Sequence, residues 1–154
     1  ATSVDFGPLV LGTFNNLAQS LHCTTNSQNG YVIQTYENAP MRMLGATTTI
    51  PDTNCNGGGC SPTVATAWAT YTNSGFGYSL EVGSTSAGAT LGITTSGNYK
   101  AFGVGHGNGQ TGLSRTNTPA ATDSVYICYR TVASTTQQAG TYENSVSFIA
   151  TATV

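Results

Sequence analysis

The sequence predicts an all-β protein: an antiparallel β-sandwich, jelly-roll or immunoglobulin-like, with about seven to nine strands. Three observations support this fold class. Apolar and polar residues alternate over several short segments, clusters of Gly, Asn and Ser separate those segments, and helical periodicity is nearly absent. No repeat or long linker divides the 154 residues. We therefore expect one domain spanning residues 1–154.

The composition excludes several classes of partner. Only 6% of the residues are charged, and Thr is the commonest residue, with 27 copies. Four Lys and Arg residues are too few to neutralise a nucleic-acid backbone or to hold an anionic membrane surface. No apolar run approaches the roughly 20 residues that span a bilayer. We therefore expect neither nucleic-acid binding nor membrane insertion.

The first part of the chain contains three candidate strands. An apolar stretch over Thr2–Phe14 is interrupted by Gly7-Pro8, which suits an edge strand or a bulged strand. The segments Leu17–Thr25 and Tyr31–Tyr36 flank the turn signal Asn29-Gly30. This arrangement predicts a β-hairpin.

The middle of the chain contains the only helical signal. Residues 61–68 begin with Ser at an N-cap position and Pro at the first helical position, so we expect at most one short helix there. Phe76–Val82 alternates and predicts a strand. Ala89–Thr95 and Tyr99–Val104 are shorter candidates.

The last part of the chain predicts two strands. Ser124–Ala133 is almost continuously apolar and rich in β-branched residues, as a central strand buried on both faces should be. Tyr142–Val154 predicts a long terminal strand. Its apolar face consists of Tyr142, Val146, Phe148, Ala150, Ala152 and Val154.

The four cysteines predict two disulfides in an oxidising compartment, so the protein is expected to be secreted. Cys55 and Cys60 bracket a glycine-rich loop that can close a small ring, and we pair them with each other. Cys23 and Cys128 then remain as the second pair. Sequence alone leaves three pairings open. A zinc site that uses Cys23, His22, His106 or the loop cysteines is the rival interpretation, but the spacing lacks the two close pairs typical of such sites.

No motif for catalysis or cofactor binding is recognisable. His22 and His106 could act as a catalytic base, but the sequence has no GxSxG motif to supply a serine nucleophile. The segment 107–112 matches GxGxxG, yet no helix follows it. Nothing in the sequence marks two carboxylates as facing each other, so they are expected to be isolated charges or turn residues. The six are Asp5, Glu37, Asp52, Glu81, Asp123 and Glu143. We expect no enzyme, no cofactor and no metal.

Three aromatic residues offer an alternative function. Trp68, Tyr71 and Tyr99 are candidates for a sugar-stacking platform, although core packing is the more frequent role of such rings. Exposed rings would favour a monomeric carbohydrate-binding surface adhesin, and buried rings would remove its main support.

Short motifs across the chain resemble those of a class of small secreted bacterial surface proteins. Phe6-Gly7-Pro8-Leu9, Asn29-Gly30-Tyr31-Val32 and Gly75-Phe76-Gly77 precede a C-terminal stretch, Ala139–Thr153, of the form AGxYxxxxxFIATAT. Such endings resemble those of surface proteins from candidate-phyla bacteria. The architecture is more loosely similar to WxL-type domains and to fibre subunits of the TasA/camelysin kind, although the N-terminal arm is shorter here and the four cysteines are not general in those fibres.

This resemblance implies a structural subunit at the cell surface that polymerises by donating a strand to its neighbour. The chain has a single Lys, so its sheet edges lack the charge that normally blocks edge pairing. We therefore expect residues 1–11 to act as a donor strand in a head-to-tail homopolymer, with the C-terminal strand as the alternative donor. The expected contact residues are Ala1, Val4, Phe6, Leu9 and Leu11. Contact with glycans or the cell surface is a further expectation.

Overall fold

A computed structural model of the protein describes residues 3–85 and 87–154. Within these residues it has twelve β-strands and a 3₁₀ turn, His106–Asn108. The strands are β1 (Asn15–Cys23), β2 (Tyr31–Glu37), β3 (Met41–Met43), β4 (Thr49–Ile50), β5 (Thr66–Ala67), β6 (Gly75–Ser84), β7 (Ala89–Leu91), β8 (Asn98–Tyr99), β9 (Gln110–Arg115), β10 (Asp123–Val132), β11 (Tyr142–Glu143) and β12 (Val146–Ala152). The predicted all-β class is confirmed. The strand count exceeds seven to nine because several strands have only two or three residues, too few to show alternation.

Two antiparallel sheets face each other. The first sheet has the order β1-β10-β6 and the second sheet has the order β12-β2-β9-β7. The alternation of β10 turns Val125, Ile127 and Tyr129 inward, and β2 contributes Tyr31 and Ile33 from the other side. All five side chains are buried. The core of the sandwich therefore lies between these two sheets.

Stacked aromatic rings form the centre of the core. The rings of Tyr78 and Phe102 lie 4.3 Å apart between centroids, and Phe76 lies 5.5 Å from Phe102. Tyr129 stacks at the side of both Phe rings. Burial raises the pKa of Tyr78 and Tyr129 above the ordinary tyrosine value.

A third, small sheet of order β11-β3-β4 closes one side of the sandwich. It continues the second sheet, since β3 follows β2 and β11 precedes β12 along the chain. Beyond β4, Phe76 of β6 donates its N–H to the Pro51 carbonyl, and Thr53 donates to the Phe76 carbonyl, both at 2.8 Å. β1 and β12 are edge strands of the two large sheets.

A buried ion pair joins the two large sheets at the start of β2. The Arg115 Nε of β9 donates to Asp123 Oδ2 of β10 at 2.7 Å, and Arg115 Nη2 donates to Oδ1 at 3.1 Å. Tyr31 donates its hydroxyl to Asp123 Oδ2 at 2.8 Å. The hydrogen bonds to Asp123 raise the pKa of Arg115, and burial raises that of Tyr31. The charges are thus paired across the core rather than exposed.

A second hydrophobic cluster covers the outer face of the first sheet. Its members are Phe14, Cys55, Cys60, Trp68, Tyr99 and Val132. The Arg130 guanidinium lies 4.2 Å from the ring centroids of both Phe14 and Tyr99, and its Nη1 donates to the Trp68 carbonyl at 2.6 Å. Cation–π stacking and this hydrogen bond hold the segment around β5 against the sheet.

One prediction of local structure, the hairpin, is wrong. The hairpin does not form, since β1 pairs with β10 and β2 pairs with β12 and β9. The chain turns at Asn29-Gly30 but crosses from one sheet to the other. The prediction of at most one short helix over residues 61–68 is met, since none forms there. The Ser61 hydroxyl accepts hydrogen bonds from the Thr63 and Val64 N–H groups, as at a helix N-cap, but only a single turn follows and the chain then extends into β5.

The last two predicted strands exist with changes. The predicted terminal strand is split into β11 and β12 at residues 144–145, where Asn38 exchanges hydrogen bonds with Ser145. Val146 and Phe148 pack against the core, as predicted, whereas Ala150 is exposed because β12 is an edge strand. β10 is central in its sheet, yet Tyr126 on its outer face is about half exposed.

Candidate functional site

The N-terminal segment of residues 3–13, here called the arm, belongs to no strand, bends at Pro8 and turns at residues 11–13. Gly7 has φ +61°, which is outside the range of a regular β-strand. Pro8, which has no N–H to donate, also disfavours a strand here. Among the described residues, the backbone hydrogen bonds that tie the arm to the sandwich lie at its end. Gly12 N–H donates to the Ala133 carbonyl at 2.8 Å, and the Asn15 side chain of β1 binds the Val10 N–H and the Val10 and Thr13 carbonyls. The predicted strand over Thr2–Phe14 is therefore wrong for its described part.

Side chains, rather than a backbone ladder, attach the arm to the sandwich. Val4, Phe6 and Leu9 are half-buried and pack against the main core. Val10 and Leu11 are exposed, at 64% and 46%. The arm therefore has an inner row of three apolar side chains and an outer pair that faces solvent.

The arm forms one wall of a groove of about 660 Å³. Met41 and Ile50 of the small sheet and Ala133 beyond β10 form its apolar floor, and the segment 137–144 forms one wall. Gln137 stiffens that wall by donating from Nε2 to the Tyr142 hydroxyl at 2.7 Å, and this hydroxyl donates to the Gln138 carbonyl at 2.8 Å. The groove is therefore a built feature between the end of the first sheet and the small sheet.

Two carboxyl groups face each other behind this wall. Glu37, the last residue of β2, is fully buried, and Asp52 follows β4. Asn144, which lines the groove, donates from Nδ2 to Glu37 Oε2 at 2.6 Å. Burial, reinforced by a hydrogen bond and the charge of Asp52, raises the pKa of Glu37 to about 9. The site therefore favours the uncharged form of Glu37.

The pair of Glu37 and Asp52 contradicts the expectation of isolated carboxylates. The alternation of β2 could have predicted that Glu37 is buried, because Glu37 lies on the same strand face as Tyr31, Ile33 and Thr35. No signal in the sequence pointed to Asp52, because its approach depends on the path of the chain after β4. Glu37 is fully buried and Asp52 is half-buried, and neither lines the groove.

Of the five residues predicted to form the donor strand, three pack together against the core. Ala1 lies outside the described residues. Val4, Phe6 and Leu9 meet the core side by side, whereas Leu11 points to solvent. The structure thus defines an inner row shorter than the predicted one.

One of the two predicted disulfides is confirmed and the other is wrong. Cys55 and Cys60 are bonded, and Cys23 and Cys128 are free thiols. Cys23 lies opposite Asp123 and Cys128 opposite Ala18, which separates the thiols by roughly 17 Å along the strands, whereas a disulfide needs Cα atoms within roughly 7 Å. The two side chains also project from opposite faces of the first sheet, because cross-strand partners share a face.

The predicted sugar-stacking platform is not formed. Trp68 and Tyr99 are 2% and 8% exposed and meet edge to face at 5.8 Å, so neither ring face is free. Only Tyr71 is exposed. Burial of the two rings removes the main support for a carbohydrate-binding adhesin, and the rings serve the second hydrophobic cluster instead.

The two histidines lie on the surface and apart from the groove. His22 contacts the Ser20 hydroxyl at 3.2 Å, and His106 packs edge to face on Tyr36. Over residues 3–85 and 87–154, no three His, Cys, Asp or Glu side chains are grouped to hold a metal ion. Within the same ranges, no helix is long and apolar enough to cross a membrane.

Comparison with known proteins finds no matching family model, no similar curated protein and no similar solved structure.

Proposed function

We propose that the protein is an extracellular structural subunit that assembles with copies of itself by exchanging the arm. The arm of one subunit leaves its place beside the groove and takes the same place beside the groove of the next subunit. The observation that carries this proposal is that residues 3–9 of the arm are attached by three half-buried side chains, whereas the backbone hydrogen bonds of the arm to the sandwich lie at its other end, at residues 10–13. Such a segment can be released without breaking a β-ladder.

The energetics of exchange favour this proposal. Full burial of an apolar side chain is worth about 1.5–3 kcal/mol, so three half-buried ones contribute roughly 2–4 kcal/mol. Docking into a second copy regains the same contacts, which makes exchange of identical segments inexpensive. Because a donor on one surface meets a groove on another, the contact is heterologous and leads to an open head-to-tail chain.

The sheet edges are also compatible with association between copies. β1 and β12 are edge strands, and neither contains a charged residue or a proline. Monomeric proteins commonly block such edges with Lys, Pro or inward charges. An incoming extended segment would therefore meet no electrostatic barrier beside β1 or β12.

The charges and the disulfide support the proposed location and partners. Arg115 and Lys100, two of the four Lys and Arg residues, are buried, and Arg130 is stacked between rings. Little positive charge is left for nucleic acid. The Cys55–Cys60 disulfide is typical of an oxidising compartment, and it fastens the loop of a subunit that must endure outside the cell.

Electron microscopy and sedimentation across a concentration series test the proposal. We expect filaments whose length grows with concentration. Phe6→Ser removes an inner contact of the arm and should weaken each junction by about tenfold or more, since roughly 1.4 kcal/mol is a tenfold change. Val10→Ser is the matched control and should assemble like the unmodified chain, because Val10 is exposed.

Two outcomes would contradict the proposal. A chain that stays monomeric at every concentration would refute assembly itself. Equal assembly of the Phe6 and Val10 variants would refute the arm as donor and leave β12 as the remaining candidate.

A further inference from the structure

The hydrogen bonds of the first sheet show which backbone groups of β1 point out of the sheet. On the far side of this sheet, Tyr78 of β6 exchanges backbone hydrogen bonds with Lys100 at 3.0 and 2.9 Å, so its N–H and C=O point away from β10. Tyr129 of β10 lies opposite Tyr78, and it therefore points its own N–H and C=O toward Leu17 of β1. Because these directions alternate along a strand, the odd-numbered residues of β1 bond to β10 and the even-numbered residues face outward.

The outward backbone groups of β1 form an open sheet edge. They belong to Asn16, Ala18, Ser20 and His22, and all four residues are exposed. Over residues 3–85 and 87–154, none of these N–H and C=O groups has a hydrogen-bond partner. β1 contains no charged residue or proline, and its register against β10 is unbroken over the whole strand. Such an edge is a template on which a further antiparallel strand can form.

The side chains of β1 match a second copy of the same strand. When two β1 strands run antiparallel with Gln19 on a two-fold axis, Leu17 of each strand lies opposite Leu21 of the other. Both leucines are half-buried, so each pair covers apolar surface that a single subunit leaves open. The same register places every residue with outward backbone groups opposite another such residue, which lets the two strands bond along their length. A shift by two residues would put Leu17 opposite Gln19 or Cys23 and would shorten the ladder.

We propose that two copies of the protein pair edge to edge through β1, antiparallel and with Gln19 on the two-fold axis. The first sheets of the two subunits then form one continuous sheet of order β6-β10-β1-β1-β10-β6. The arm cannot supply the added strand, because Gly7 and Pro8 interrupt it. The contact is isologous and closes after two subunits, unlike the exchange of arms. The pairing does not rest on that exchange, and where both occur it joins two head-to-tail chains side by side.

Sedimentation equilibrium of the Phe6→Ser chain, whose arm junction is weakened, tests the pairing. This chain should show an equilibrium between monomer and dimer. Adding Ala18→Pro removes an outward N–H but no bond to β10, and it should raise the dimer dissociation constant by about tenfold or more, because each dimer loses two hydrogen bonds. Ala150→Pro in β12 is the matched control. The Thr153 N–H bonds to the Gly30 carbonyl, so the Ala150 N–H also points out of its sheet, and this variant should pair like the chain without it.

Amide hydrogen exchange of the unmodified chain decides the question without any variant. The Ala18 and Ser20 N–H groups should gain about tenfold or more protection as concentration rises, whereas those of Leu17 and Gln19 should be protected at every concentration by β10. Equal exchange of Ala18 and Ser20 at all concentrations would overturn the pairing, as would a dimer lost in Ala150→Pro and kept in Ala18→Pro. Filaments that grow without protection of β1 would refute the pairing alone. Dimers paired through β1 that never form filaments would refute the exchange of arms alone.

Discussion

The Arg115–Asp123 pair makes a strong prediction about stability. Asp123→Asn retains the volume of the side chain but removes the charge that faces a buried guanidinium. Asp123 accepts two hydrogen bonds from Arg115 and one from Tyr31, and both charged side chains have no exposed surface. The variant leaves Arg115 without its charged partner. Both Asp123 oxygens accept hydrogen bonds, whereas Asn has only one side-chain oxygen, so its N–H₂ group must face a donor of Arg115 or Tyr31.

The expected loss of stability is large. Breaking a buried ion pair by removing one partner costs about 3–5 kcal/mol, because the remaining charge is desolvated and uncompensated. The lower end applies here, since Arg115 Nη1 keeps its hydrogen bonds to the Ala87 carbonyl and Asn117 Oδ1. At about 2–4 °C for each kcal/mol in a chain of this length, the midpoint of thermal unfolding should fall by roughly 10 °C.

Urea unfolding followed by tryptophan fluorescence, together with calorimetry, measures this loss. Tyr31→Phe is the matched control. It removes one hydrogen bond to the same carboxylate and should cost about 1.5–3 kcal/mol, less than the loss of the ion pair. A loss below about 1 kcal/mol for Asp123→Asn, or equal losses for the two variants, would show that the pair does not hold the two sheets together as the structure indicates.

Two further predictions concern the cysteines. Under denaturing, non-reducing conditions, thiol titration should detect Cys23 and Cys128 as two free thiols per chain, and a count of zero would contradict the strand register. Replacing both Cys55 and Cys60 by Ala should lower the free energy of unfolding by about 2 kcal/mol, the loop-entropy value for so short a ring, as measured by urea unfolding. No change would mean that the glycine-rich loop is held by the second hydrophobic cluster alone.

Local patterns in the sequence predicted the features that depend on neighbouring residues. Alternation identified β2, β6 and the inward face of β12, because side chains of a strand point to opposite faces in turn. The Cys55–Cys60 ring was predictable because a glycine-rich loop of this length brings its two ends together. The same patterns failed at β3, β4 and β5, which are too short to alternate.

The sequence by itself determined that this chain forms a β-sandwich, with few charges and with an apolar segment at its start. Only the tertiary structure decided which strands are neighbours. β1 pairs with β10 about a hundred residues later rather than with β2, and this register separates Cys23 from Cys128. It also decided that Glu37 meets Asp52 behind the groove. The physical reason is that alternation specifies which face of a strand is buried, whereas the partner across that face is chosen by packing between segments far apart in the chain.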